Sequence, residues 1–218
     1  MIPPSQSSRT DHFARACGAI AFAGVAAFAI VCVAVQGLRA DLDWIASPLS
    51  YYLTGAYGVP VQAVYVALSA ALAALGVGFH RGLSREARSA APLLLFAVAA
   101  VALTVTAASE AAKSHGEREF WALVHGTAAQ TTFLCVTVAM ILQSLRMRLD
   151  ARWRRRFVPA LVLACVAFAA LWLHVLDRAL PRGLSQKTVI ALIVLWLGWA
   201  SFALWRMPAG RSETARSR

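Results

Sequence analysis

Two histidines, His125 and His174, stand inside long apolar runs of this 218-residue chain. Carboxylates flank the ends of such runs at Asp41, Asp43, Glu110 and Asp177. An ionisable side chain at membrane depth is costly, and by default it is a candidate for function. Several chemistries are open to the set. His125, His174 and Asp177 are ligand types that hold zinc, with Glu110 as base and Ser47 or Ser50 near a metal-bound water; a membrane hydrolase acting on a lipid headgroup would be built so. The two histidines could instead ligate haem axially. Without any chemistry, Asp43, Ser47, Ser50, Tyr51, Glu110, His125 and Gln186 would form a polar cleft that binds a lipid or small ligand. In that cleft His125 and Glu110 orient the ligand, while Tyr51 and Tyr52 line the wall. For either histidine alone, a hydrogen bond between helices is a sufficient account. The spacing matches no local metal motif, and HExxH, GxSxG and a phosphate-binding glycine loop are all missing.

The elements that must position these groups follow from hydropathy. The chain is 60% hydrophobic with a mean hydropathy of +0.64, more apolar surface than a soluble domain of this length can bury. Crossing a bilayer takes about twenty apolar residues in a helix. Six runs qualify: 16–38, 59–79, 89–109, 120–145, 157–176 and 188–205. Backbone polar groups in lipid must be satisfied within the segment, so these are helices, and the alternating pattern of a membrane barrel does not occur. Pro60, Pro92 and Pro159 lie near the starts of runs, where the missing N–H costs little. Ala19, Ala23 and Ala27, and Ala63, Ala67, Ala70, Ala74 and Gly78, form small-residue stripes suited to close packing in lipid. Thr127, Gln130, Thr131 and Thr132, which follow His125, are expected to face other helices rather than lipid. Cys17, Cys32, Cys135 and Cys165 all lie in apolar runs and read as buried small hydrophobes, not as a disulfide or zinc framework.

Charge orients the bundle. The net charge is +11, and it sits in short runs between apolar segments, which is the pattern of membrane orientation rather than nucleic-acid binding. With the N-terminus in the cytoplasm, fifteen of the 21 Arg and Lys residues fall inside. The expectation is an all-α, six-helix transmembrane bundle of the cell inner membrane with both termini cytoplasmic. It divides into a cytoplasmic segment 1–15, the six-span domain 16–206 and a disordered cytoplasmic tail 207–218. The first run is too long for a signal core and reads as an uncleaved span. The basic run RMRLDARWRRR, 146–156, is a stop signal and an anchor to anionic lipid. Membrane lipids are the expected partners, with a second copy or another membrane protein left open. A small-solute transporter would need polar residues continuing through the midplane, which the first and third runs do not offer.

Nearly every candidate group then falls on the outer side. The loop SPLSYYLTGAYG, 47–58, carries Trp44 just before it and Tyr51, Tyr52 and Tyr57 within it, at headgroup level. Ser47 before Pro48 reads as the cap of a short interfacial helix. This stretch resembles the signature of the domain of unknown function 998 family, bacterial and archaeal integral membrane proteins usually with six spans. WALVHGTAAQ, 121–130, and RGLSQKTVIALIVLW, 182–196, agree with that family in a histidine opening the fourth span and a GL-x-Q pattern before a tryptophan. By the resemblance, the matching residues are Ser47, Ser50, Tyr51, Gly55, Gly58, His125, Gly183, Leu184 and Gln186. Many members carry a proline and an aspartate after the third span, where this chain reads ASEAAKSHGERE, and Glu110 would stand in for the acidic group.

Overall fold

The computed structural model describes residues 4–112 and 117–207. Within them the chain forms six long helices and no strand: α1 Pro4–Leu38, α2 Gly58–Gly82, α3 Ala90–Ala112, α4 Arg118–Met147, α5 Phe157–Leu176 and α6 Arg182–Trp205. All six are long and apolar enough to cross a membrane. Lys113 and the rest of the stretch to Gly116, and residues 208–218 of the expected tail, lie outside the described residues, whereas Met207 is buried.

Pro60, Pro92 and Pro159 are each the third residue of their helix, in the first turn as their chemistry requires. Two helix starts differ from the hydropathy reading. α1 begins twelve residues before Ala16, and α6 begins at Arg182 rather than Thr188. Hydropathy registers only the apolar part of a helix, while the polar first turn of α6 is held by contacts with another segment, described below.

The helices pack in chain order, each on the next, and α6 returns to α1 to close a ring. Contacts across the ring, between α2 and α6 and between α4 and α6, are slight. The α1–α2 seam is close: a Cβ on Gly24 would stand 2.7 Å from the Ala67 carbonyl oxygen. Of the expected alanine stripes, Ala23, Ala63 and Ala70 are exposed; the buried line of α1 runs through Ala14, Cys17, Ala21, Val25, Phe28, Cys32 and Val35. The four cysteines are free thiols, Cys17 and Cys32 buried but Cys165 exposed.

One end of the ring carries the start of α1, the end of α6 and the α2–α3 and α4–α5 connections. There the basic run departs from its expected role as a simple lipid anchor. Arg146 donates to the carbonyls of Ala87, Glu86 and Arg88 at 2.8, 2.6 and 3.0 Å, so it fastens the α2–α3 turn to α4. Asp150, 3% exposed, accepts the Ser84 N–H at 2.9 Å and the guanidinium of Arg152 at 3.2 Å. Arg152 reaches on to Asp11 of α1 at 3.3 Å and to the Gly82 carbonyl. Burial pushes the Asp150 carboxyl up, but Arg152 and the backbone donors of Ser84 and Arg152 outweigh it and hold the group below its ordinary range. Trp153 is fully buried with its ring edge-on to Phe79, centroids 5.1 Å apart. Arg148, Arg154 and Arg155 are exposed and form no ion pair among the described residues.

Candidate functional site

The opposite end of the ring is organised by the α1–α2 loop. Arg39, 8% exposed, clamps the Asp41 carboxylate with Nε and Nη2, both at 2.7 Å, and Nη1 donates to the Thr54 and Ala56 carbonyls at 2.8 and 3.1 Å. The side-chain bond to Asp41 raises the Arg39 guanidinium's proton affinity and holds the exposed Asp41 carboxyl low. Gly55, with φ of 73°, lies against this guanidinium. Asp43 makes a local turn, its Oδ1 accepting the N–H groups of Ile45 and Ala46 at 2.8 and 3.3 Å. The expected short helix is present as a 3-10 turn, Leu49–Leu53, but its cap is Pro48 and no side chain caps it; Ser47 donates its N–H to the Asp43 carbonyl instead.

This loop is docked on the start of α6. The N–H groups of Gly183 and Leu184, which a helix N-terminus leaves unsatisfied, donate to the Ala46 and Ile45 carbonyls at 3.1 and 2.8 Å. A Cβ on residue 183 would come 2.5 Å from the Ser47 carbonyl oxygen and 2.6 Å from that of Ile45, so only glycine permits the approach. Gln186 Oε1 accepts the Leu49 N–H at 2.9 Å, and Lys187 Nζ donates to the Trp44 carbonyl. Tyr52 is fully buried beneath the loop, with Lys187 and Arg39 over its ring at 5.3 and 5.9 Å. Its burial raises the phenol's pKa. The tyrosine is therefore part of the loop's own core. Tyr51, 54% exposed, lines neither of the cavities described next.

Inside the rim, α3 and α4 bring Glu110 and His125 together. His125 Nδ1 lies 3.1 Å from Glu110 Oε2 and 3.0 Å from the Thr106 carbonyl oxygen. Both partners are acceptors, so the proton sits on Nδ1 and the ring is fixed in orientation. His125, Ser50 and Gln186 stand at the junction of two cavities and line both. The wider one, about 550 Å³, lies between α4, α5 and α6, with Gln130, Phe133, Leu134, Leu171, Trp172, His174 and Arg182 among its walls. The narrower one, about 70 Å³, runs into the ring between Phe28, Leu68, Leu72, Leu103, Ile193 and Leu197. The slight contact between α4 and α6 is what leaves this space open.

His174 faces the wide cavity from α5. His174 Nδ1 is hydrogen-bonded to Ser185 Oγ at 2.7 Å, and the same hydroxyl lies 2.9 Å from the Pro181 carbonyl oxygen. Arg182 Nη1 donates to the His174 carbonyl at 2.7 Å. Asp177 closes its own turn, Oδ1 accepting the Ala179 N–H at 2.9 Å. Among the described residues, no group of three His, Cys, Asp or Glu side chains could hold a metal ion. The cluster read from the sequence thus divides. Ser50, Glu110, His125, His174 and Gln186 gather at or behind the cavity walls, whereas Asp43, Ser47 and Asp177 serve the backbone of the rim.

Several wall residues gave little signal in the sequence. Arg182 counted there only as an orienting charge, and Phe133 and Ile193 were indistinguishable from other apolar residues. Gln130 and Thr127 are exposed rather than turned toward other helices, and Gln130 belongs to the wide cavity.

No curated protein and no solved structure matches the chain. A family model does match: the one described as "Protein of unknown function (DUF998)", over residues 22–203, which takes in the α1–α2 loop, the His125 segment and the start of α6. The chain is a multi-pass membrane protein that belongs to the domain of unknown function 998 family.

Proposed function

We propose that this protein binds a lipid or small ligand in its wide cavity, which opens to the outer side of a bacterial inner membrane while both termini stay in the cytoplasm. The orientation rests on charge, since fifteen of the 21 Arg and Lys residues fall in the sequence segments read as cytoplasmic. The observation that carries the binding reading is the meeting of Ser50, His125 and Gln186, from three separate segments, where the two cavities join. A few fixed polar groups over apolar walls, in a space of a few hundred Å³, is the composition of a ligand site. Glu110 holds the His125 ring in one tautomer, and Gln186 is held by the loop it supports. The groups facing the ligand are therefore preorganised.

The test fills the junction. Ala129 lines both cavities, so Ala129→Phe fills their junction while every polar wall residue is kept in the sequence. Mass spectrometry of molecules extracted from the purified protein should find a stoichiometric ligand in wild type and its loss in the variant. Equal recovery from both, with the variant folded, would count against the site.

A metal-dependent lipid hydrolase is the second reading, favoured by one observation. A histidine whose second nitrogen is bonded to a carboxylate, as His125 is to Glu110, is the arrangement metal-ligating histidines use. The hydrolase's zinc ligands would be His125, His174 and Asp177, which would have to converge, since no three-ligand group forms among the described residues. Elemental analysis of protein purified without chelator separates the readings: stoichiometric zinc that disappears in His125→Ala would put hydrolysis first.

A further inference from the structure

We infer that the ligand of the wide cavity is an anionic amphiphile, with its headgroup at Arg182 and His174 and a single apolar chain lying along Phe133, Leu134 and Trp172. The inference rests on the binding reading above and names the chemistry it would take.

The wall carries a gradient. Arg182, His174, Gln186 and His125 occupy its loop-end portion, whereas Phe133, Leu134 and Leu171 lie deeper. From His125 to Leu134 the cavity follows α4 for about 14 Å at 1.5 Å per residue. A small polar solute would leave the deeper half of that wall unmatched. The deep half is also open sideways: Leu134 and Trp172 are 46 and 45% exposed, on surfaces that face lipid in a membrane helix bundle. A chain already dissolved in the bilayer can enter there without passing through water.

The sign of the headgroup follows from the wall's charges. No carboxylate lines the cavity; Glu110 lies behind His125, on its Nδ1. The guanidinium of Arg182 is exposed, its Nη1 bond goes to a carbonyl, and among the described residues it has no acidic partner. A guanidinium on the rim of a largely apolar cleft favours carboxylate or phosphate, which it can bind through two parallel N–H donors. The neighbouring cation, Lys187, is occupied with the Trp44 carbonyl and the Tyr52 ring. Arg182 is the cation that the wall offers to a ligand.

Trp172 on the wall supplies the readout. The full-length protein is placed in nanodiscs of uncharged lipid at pH 8 and titrated with dibromostearate, whose bromines quench tryptophan on contact. The signal of interest is the quenching lost in Trp172→Phe. The acid should quench Trp172 at a concentration at least tenfold lower than its methyl ester does. Arg182→Gln should raise the half-point for the acid about tenfold, the loss of one charge-assisted hydrogen bond. Arg182→Lys, which keeps the charge, should recover part of it and guards against a misfolded Gln variant. Equal half-points for acid and ester, unmoved by Arg182→Gln, would overturn the anionic headgroup while leaving a lipid cleft in place. Full reversal of quenching by inorganic phosphate alone would assign the site to the free anion. If neither probe quenches Trp172 and Ala129→Phe retains the extracted ligand, the binding reading fails with it.

Discussion

The two ends of the helix ring use similar residues for different ends. At the terminal end, Asp150, Arg152, Asp11 and Arg146 bond to one another or to backbone carbonyls, and the fully buried Trp153 packs on Phe79 beside them. At the loop end, Arg39 and Asp41 are engaged in the same way, but Ser50, His125, His174, Gln186 and Arg182 surround a cavity. A polar group closed on by its partners maintains a fold. One presented to a space is positioned for something that enters it. The comparison predicts that damage at the terminal end will appear as lost stability, and damage on the cavity wall as lost binding.

The largest stability effect is expected from Asp150→Ala. It leaves the Ser84 N–H without its acceptor and takes one carboxylate from Arg152, which keeps Asp11 and the Gly82 carbonyl, at a cost of about 3 kcal/mol, the low end for breaking a buried pair because Arg152 is partly exposed. Denaturant unfolding in detergent measures it, and ligand recovery from the folded fraction should be unchanged. The pH dependence has a definite sign. The Asp150 carboxyl is depressed in the fold, so its contribution is full above the unfolded value near 4 and is lost as pH falls through the lower folded value. Wild type should lose more stability than Asp150→Ala on acidification below about pH 4. A variant that lost its ligand while keeping its stability would break the division between the ends.

Gly183→Ala comes next, at about 2 kcal/mol, because its methyl group meets two backbone carbonyls that cannot move without undocking the loop. It should lower both thermal stability and ligand recovery, since the loop carries Ser50 to the cavity. Gln186→Leu should cost about 1 kcal/mol for the stranded Leu49 N–H and should weaken binding more than that figure suggests, since Gln186 also lines both cavities. Ser50→Ala should be the mildest, within about 0.5 kcal/mol of wild type in stability, with ligand recovery as its readout. Reversal of the last two, with large stability losses and intact binding, would mean the wall is structural.

Much of the fold was legible because a membrane helix announces itself by the length of its apolar run. The ring was not, because closure of α6 on α1 depends on contacts between residues nearly two hundred positions apart, such as Arg15 with the Trp205 carbonyl. His125 and Glu110 were legible as ionisable groups at membrane depth; their pairing depended on how α3 and α4 meet. The GL-x-Q stretch was visible as a resemblance, but its physical reason, carbonyl groups of a loop some 140 residues earlier pressed on Gly183, has no trace in local sequence. Asp150 and Arg152 were hidden inside a basic run whose composition alone resembles a solvated anchor. The same composition serves both roles; what marks Arg152 off from Arg154 and Arg155 is its pairing with Asp11 and Asp150, which local sequence does not show.

The most direct test is an experimental structure of the protein in lipid nanodiscs prepared without delipidation. The account expects elongated density in the wide cavity, beginning between Arg182 and His174 and running beside Phe133 and Trp172, with α4 and α6 held apart. Closure of α4 onto α6, so that Phe133 packs on Ile190 and the junction at Ser50, His125 and Gln186 is filled by protein, would contradict it.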